Sequence, residues 1–200
     1  MNNHNSHTRL ENNLKSNPCT DTLTDFEYLE HMIPHHQVAI DMSVLLQKHT
    51  SSDVMLNLCR EIIRIQSYEI FEMSKMKVYK DTLFTDDKWI KEKINTKLDT
   101  YNPILSKAKE GECNPLFFKP NDHSQHMKGM KLTDRSYLEH MIPHHQVAID
   151  MSRRLLLHTN NSYLLEFCRK LILEQQAEIL YMNNLLININ FLYKSELLQN

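Results

Sequence analysis

The sequence predicts an all-α protein, a four-helix bundle built from two duplicated helical hairpins. The first observation is a repeat: the sixteen residues YLEHMIPHHQVAIDMS occupy Tyr28–Ser43 and again Tyr137–Ser152, 109 residues later. Apolar residues also recur at helical spacing within and after each copy. Finally, the chain contains only two glycines in 200 residues, which argues against β-hairpins because their tight turns need glycine.

Composition excludes several classes of protein. The net charge of -2 and the pI near 6.6 give no basic surface for nucleic acid. No apolar run approaches the roughly 20 residues of a membrane span, so we expect neither a nucleic-acid nor a membrane partner. The polar N-terminus has no apolar segment typical of a signal peptide. Together with four cysteines too sparse for a disulfide framework, this favours an intracellular, reducing location.

Four segments follow from these patterns. We expect a disordered tail over 1–22, a first hairpin over 23–80, a linker over 81–131 and a second hairpin with its tail over 132–200. The linker has room for a polar helix at Asp86–Tyr101 and contains a cluster of His and Met at His123–Met130, either a metal-capturing loop or a solvated linker. The predicted helices are Asp25–His49, Asp53–Tyr79, Asp134–His158, and Ser162 to at least Leu186.

Helix starts and interruptions are visible in the sequence. Thr24 followed by Glu27 is a capping box, and Ser136 in place of Glu predicts a weaker box after Thr133. Pro34 and the matching Pro143 each remove one backbone hydrogen bond, so we expect a kink just before each pair of histidines.

The first helix has two faces. We expect one face to point inward because its histidines and methionine are repeated in the second copy; its members are Tyr28, His31, His35, Val38, Met42, Leu45 and His49. The second helix should bury a face with Glu69 at its edge, comprising Leu56, Cys59, Ile63, Gln66, Ile70 and Met73.

Imidazole and thioether side chains on these inward faces suit a soft metal ion. Cu(I) accepts both donor types, whereas Cu(II) and Zn(II) are held through histidine. The candidate ligands are His31, Met32, His35, His36, Met42, Glu69 and Met73 in the first copy, and His140, Met141, His144, His145, Met151, Glu178 and Met182 in the second. Glu69 and its counterpart are either ligands or groups that orient the imidazoles.

Adjacent histidines on a helix point about 100° apart, so His35 and His36 need different partners. We expect His35 to face its own hairpin, with Met42 and Met73 nearby, and His36 to point toward another helix or a second ion.

Other classes of protein remain as alternatives. A metal-dependent oxidoreductase of the di-iron type needs Glu-x-x-His motifs, which are missing, so a binding protein is favoured over an enzyme. A structural or interaction module would use the same histidines and methionines as a polar core without metal.

The runs Met32-Ile-Pro-His-His-Gln-x-Ala-x-x-Met42 and Gln66-x-x-Glu-Ile-x-x-Met73, both present in each copy, resemble the DUF305 family. The resemblance covers about half of the chain. It implies a ferritin-like bundle with paired helices per repeat and a copper-related role, and it leaves open a homo-oligomer or a metal-donor protein as partner. His31 and His140 stand where the family often has another residue, which could enlarge the site.

Overall fold

A computed structural model describes residues 23–78, 132–157 and 159–197. Within these ranges every regular element is an α-helix: α1 is Asp25–Leu46, α2 is Asp53–Val78, α3 is Asp134–Leu156 and α4 is Ser162–Leu197. The all-α four-helix prediction is therefore confirmed. Predictions for 1–22, Asp86–Tyr101 and His123–Met130 fall outside the described residues. The four segment boundaries and the ferritin-like label remain predictions.

Both long hairpins begin with a complete capping box. The Glu27 backbone N–H donates to Thr24 Oγ1 at 3.2 Å, and the Thr24 N–H donates to Glu27 Oε2 at 2.9 Å. In the second hairpin the Thr133 N–H donates instead to Ser136 Oγ at 3.0 Å. A serine hydroxyl therefore replaces the carboxylate without breaking the box. A capping side chain of this kind typically contributes about 1 kcal/mol.

The first and third helices end slightly earlier than predicted. After Leu46, the N–H groups of Lys48 and His49 donate to carbonyls three residues back, at 3.1 and 2.9 Å. This tighter spacing closes the last turn of α1 and begins the connection to α2. Both α1 and α3 run without a break through their prolines, Pro34 and Pro143.

Each hairpin is antiparallel, and the two hairpins meet through α1 and α3. Lys77 near the end of α2 forms an ion pair with Glu30 near the start of α1, at 3.2 Å. Across the hairpins, Tyr28 at the start of α1 contacts Ser152 near the end of α3. The reciprocal contact joins Ser43 and Tyr137, so α1 and α3 are also antiparallel and their contacts are related by a local two-fold axis.

The hydrophobic core consists of two clusters that each combine both hairpins. One contains the start of α1 together with the end of α3 and the start of α4; the other contains the reverse combination. Neither hairpin therefore buries its apolar side chains alone. None of the helices within the described ranges is long and apolar enough to cross a membrane.

The buried residues of α1, α2 and α3 agree only in part with the predicted faces. On α1, Tyr28, His35, Val38 and Met42 are buried as expected, but His49 is exposed because the helix has already ended. On α3, Ile149 is buried, although it lies on the side of the helix opposite the histidine and methionine face that was predicted to point inward. The reason is that α1 and α3 each pack against two helices. The buried face of α2 is rotated from the predicted one and contains Met55, Leu58, Cys59, Ile62, Gln66, Glu69 and Met73.

Candidate metal centre

Two histidines stack on the local two-fold axis between the hairpins. The rings of His35 and His144 have centroids 3.6 Å apart and planes inclined by 22°. His35 is buried, and both ring nitrogens of the partly exposed His144 are buried as well. Their adjacent partners, His36 and His145, are fully buried. Four imidazoles therefore share the middle of the bundle.

The stacked pair is held in the neutral form. Burial lowers the pKa of His35 well below the ordinary value of 6.5, and the neighbouring imidazoles of His36 and His145 lower it further. Burial likewise lowers the pKa of His144, with His35 and His145 adding to the effect. A neutral imidazole has one nitrogen with an available lone pair. These rings can therefore donate electron pairs near neutral pH.

His36 and His145 are each bonded to a glutamate of their own hairpin. The distance from His36 Nε2 to Glu69 Oε2 is 2.9 Å, and that from His145 Nε2 to Glu178 Oε2 is 2.8 Å. An ionised carboxylate can only accept, so with Glu69 and Glu178 ionised Nε2–H is the donor in both pairs. Nδ1 of each ring is buried and makes no hydrogen bond within the described residues.

Methionines lie one helical turn from each of these pairs. Met32 precedes His36 by four residues on α1, and Met73 follows Glu69 by four on α2, so each shares a helix face with a member of the pair. Both belong to one core cluster, to which α3 adds Met151. We call Met32, Met73 and Met151 the first methionine cluster. The second methionine cluster contains the equivalent residues Met141, Met182 and Met42. Two methionines of each cluster come from one hairpin and the third from the other.

Two buried glutamines add further polar atoms to the interior. Gln66 and Gln175 are 1% and 3% exposed. The amide oxygen and nitrogen of both side chains make no hydrogen bonds within the described residues. Buried amides without partners are rare in folded proteins because each costs free energy.

The structure reverses the predicted roles of the adjacent histidines. His36, not His35, is bonded to α2 of its own hairpin through Glu69. His35 contacts the opposite hairpin through His144. Met42 lies in the second methionine cluster and Met73 in the first, and their nearness to His35 remains a prediction. The physical cause is the crossing of α1 and α3, which directs the end of each helix into the other hairpin.

The remaining predicted ligands lie at the margin of this centre. His31 and His140 are half-buried; the His140 ring is 6.2 Å from that of His144. Burial lowers the pKa of His31, opposed by Glu27 and Glu30. Among the described residues, no three His, Cys, Asp or Glu side chains are arranged to hold a metal ion. Within the described residues, a site with three or more side-chain ligands would therefore need a further kind of donor, such as thioether sulfur, beside imidazole.

Sequence reasoning missed two buried hydroxyl pairs that join the hairpins. The distance from Tyr28 Oη to Ser152 Oγ is 2.7 Å, and Tyr137 Oη to Ser43 Oγ is also 2.7 Å. A cysteine thiol lies beside each pair: Cys168 hydrogen-bonds with Tyr28 and Ser152, and Cys59 with Tyr137. A signal was present, because tyrosine and serine are the first and last residues of the identical sixteen-residue block.

These two thiols should be unreactive in the folded protein. Burial raises the pKa of Cys59 to about 11 and that of Cys168 to about 12, and reagents attack the thiolate. In a Cys19→Ser, Cys113→Ser background, we expect almost no reaction with a disulfide reagent near pH 8, and full reaction after denaturation. Rapid reaction of the native protein would show that the thiols are accessible.

Fold and site together define a helical bundle with a core of paired histidines and methionines. The chain belongs to the DUF305 family, described as a domain of unknown function; its family model matches residues 4–77 and 25–186. A 55-residue stretch is 38% identical to Uncharacterized protein L153 of Acanthamoeba polyphaga mimivirus and covers 28% of this chain. That stretch spans only 36% of the viral protein.

Several solved structures of CopM are similar over most of this chain. The Cu(II)-bound form is 25% identical with a TM-score of 0.56, and the match covers 84% of this chain and 98% of that one. The Cu(I)-bound form is 28% identical with a TM-score of 0.55 over the same shares. A silver-bound form obtained by soaking is 27% identical with a TM-score of 0.56, covering 83% and 96%.

Proposed function

We propose that this chain binds copper, preferably Cu(I), through one site in each hairpin, and sequesters it or transfers it to another protein. The observation that carries the proposal is the buried Nδ1 of His36 and of His145, which makes no hydrogen bond within the described residues, together with the methionine one helical turn before each of these histidines. Imidazole with thioether sulfur is a donor set suited to the soft Cu(I) ion.

The residues present fit such an ion. In the first site His36 Nδ1 would supply nitrogen, and Met32, Met73 and the cross-hairpin Met151 would supply sulfur. The second site would use the equivalents His145, Met141, Met182 and Met42. Buried surroundings favour a singly charged ion because desolvation costs less for lower charge. The similarity to CopM, whose structures contain Cu(I), Cu(II) and silver, supports the same class of cargo.

A binding role is favoured over an oxidoreductase role. Glu69 and Glu178, the carboxylates that a di-iron centre would require, are each bonded to an imidazole. Among the residues described by the structure, no three His, Cys, Asp or Glu side chains are arranged to hold a metal ion, whereas a di-iron centre needs several such ligands.

Titration of the metal-free protein tests the proposal. We expect two Cu(I) ions per chain in competition with a Cu(I)-specific chelator, and weaker binding of Zn(II). Failure of the folded protein to compete for Cu(I) would leave the histidines and methionines as a polar core, the structural alternative.

The contribution of sulfur is tested by Met42→Leu with Met151→Leu. Each substitution removes the thioether that one hairpin supplies to the other, so we expect weaker Cu(I) binding and unchanged Zn(II) binding. Leucine nearly conserves volume, and the cost in stability should stay below about 1.5 kcal/mol per site. Met55→Leu is the matched control, because Met55 is buried in the same core while Leu164 occupies the equivalent position. Equal Cu(I) affinities in all three proteins would contradict a role for these sulfur atoms.

A further inference from the structure

We infer that Glu69 and Glu178 are positioning residues rather than metal ligands: each fixes its histidine as the Nε2–H tautomer, so that Nδ1 is the nitrogen presented to a metal ion. The metal part of this inference rests on the proposed function. The tautomer part concerns the metal-free protein and can be tested on its own.

The first support is the geometry of the two pairs. Glu69 is 2% exposed and His36 is fully buried, and they are 2.9 Å apart. A buried carboxylate needs a donor, since an unpaired one costs several kcal/mol of free energy. The same bond, at 2.8 Å, is formed in the second hairpin by Glu178, which is 15% exposed. The same histidine–glutamate bond is therefore present in both hairpins, although the two glutamates differ in their exposure to solvent.

The second support is the state of the opposite ring nitrogen. With Nε2–H donating to the glutamate, a neutral ring has its lone pair on Nδ1. Nδ1 of both His36 and His145 is buried and has no hydrogen-bond partner in the described part of the chain. A glutamate that gave the same oxygen, Oε2, to a metal ion would weaken its bond with Nε2–H, and Nδ1 would still have no partner in the described part of the chain. A glutamate that orients the ring keeps the bond and leaves one nitrogen for the ion, as in other carboxylate–histidine–metal arrangements.

Nitrogen-15 NMR of the histidine rings tests the tautomer directly. In the metal-free protein we expect Nε2 of His36 and His145 to be protonated and Nδ1 to be unprotonated. The opposite tautomer would overturn the inference. Ag(I) is the probe for binding, since its spin-one-half nucleus splits the line of the bonded nitrogen. We expect the splitting at Nδ1; splitting at Nε2 would overturn the inference. A complete lack of Ag(I) and Cu(I) binding would overturn the proposed function alone, because the tautomer is read without metal.

Substitutions separate positioning from ligation. Glu69→Gln with Glu178→Gln retains an acceptor oxygen for Nε2–H but removes the charge, so Cu(I) affinity should stay within about threefold of wild type. Glu69→Leu with Glu178→Leu removes the acceptor and should weaken Cu(I) binding by about 10- to 100-fold, the usual cost of losing such a partner. Equal, large losses in both variants would show that the carboxylates are ligands. Should the leucine variant not fold, the glutamine variant and the NMR measurement still decide the question.

Discussion

Replacing His36 and His145 with glutamine is expected to weaken Cu(I) binding by more than about 100-fold, beyond the cost of losing an orienting partner. Glutamine can still donate to Glu69 and Glu178, so neither buried carboxylate is left without a partner. What the substitution removes is the imidazole Nδ1, the only nitrogen donor we assign to each site. Affinity would be measured by competition with a Cu(I) chelator.

The matched control is His35→Gln with His144→Gln, which alters the stacked pair on the two-fold axis. These rings stack on each other, whereas the rings bonded to Glu69 and Glu178 are those of His36 and His145. We therefore expect a smaller loss of Cu(I) affinity. A larger loss in this control than in the His36 and His145 variant would reverse our assignment. His49→Ala, on an exposed turn, should have no effect.

Acid should destabilise the metal-free protein through the stacked pair. The pKa of His35 and of His144 is lowered in the folded state, mainly by burial, whereas an unfolded histidine titrates near 6.5. Below that value the unfolded chain binds more protons than the folded one, so stability falls as the pH drops from about 6.5 toward the folded pKa values. Each group can remove up to about 1.4 kcal/mol per pH unit in this window.

Urea unfolding at about pH 7.5 and about pH 5.5 would measure this effect. In His35→Gln with His144→Gln the two groups are gone, so the free energy of unfolding should change less between the two conditions. Titratable groups that do not interact with this pair are shared with the wild type and cancel in the comparison. The same pH dependence in both proteins would mean that the stacked histidines do not titrate as their burial implies.

The architecture was predictable because the relevant signals are local. Threonine caps, helical periodicity and short turns specify α1 to α3 and the start of α4 to within a few residues, and each assignment is supported by both copies of the repeat. The prediction left the end of α4 open beyond Leu186, and the helix continues to Leu197. Burial on α1 was predictable only in part. A helix that packs against two neighbours buries more than one face. For this reason the burial of Ile149 on α3, which also has two neighbours, could not be predicted from one helical stripe of apolar residues.

The contacts between hairpins were not predictable from the sequence. His35 and His36 point about 100° apart on α1. Which of them contacts Glu69 on α2 and which contacts α3 depends on how α1 is rotated between these two helices, and that is set by tertiary packing. The pair Tyr28–Ser152 joins residues 124 apart in sequence, and no local rule specifies such a distance. The methionine clusters were missed for the same reason: each takes its third thioether from the opposite hairpin.

The exchange of residues between hairpins makes this chain equivalent to a tethered homodimer. Two separate one-hairpin chains related by a true two-fold axis could form the same tyrosine–serine bonds and the same mixed methionine clusters. Their association would depend on protein concentration, whereas covalent connection fixes the effective concentration of one half around the other. Both mixed methionine clusters therefore stay complete when the protein is dilute. Connection also lets the halves differ, as Leu45 and Arg154 already do at equivalent positions.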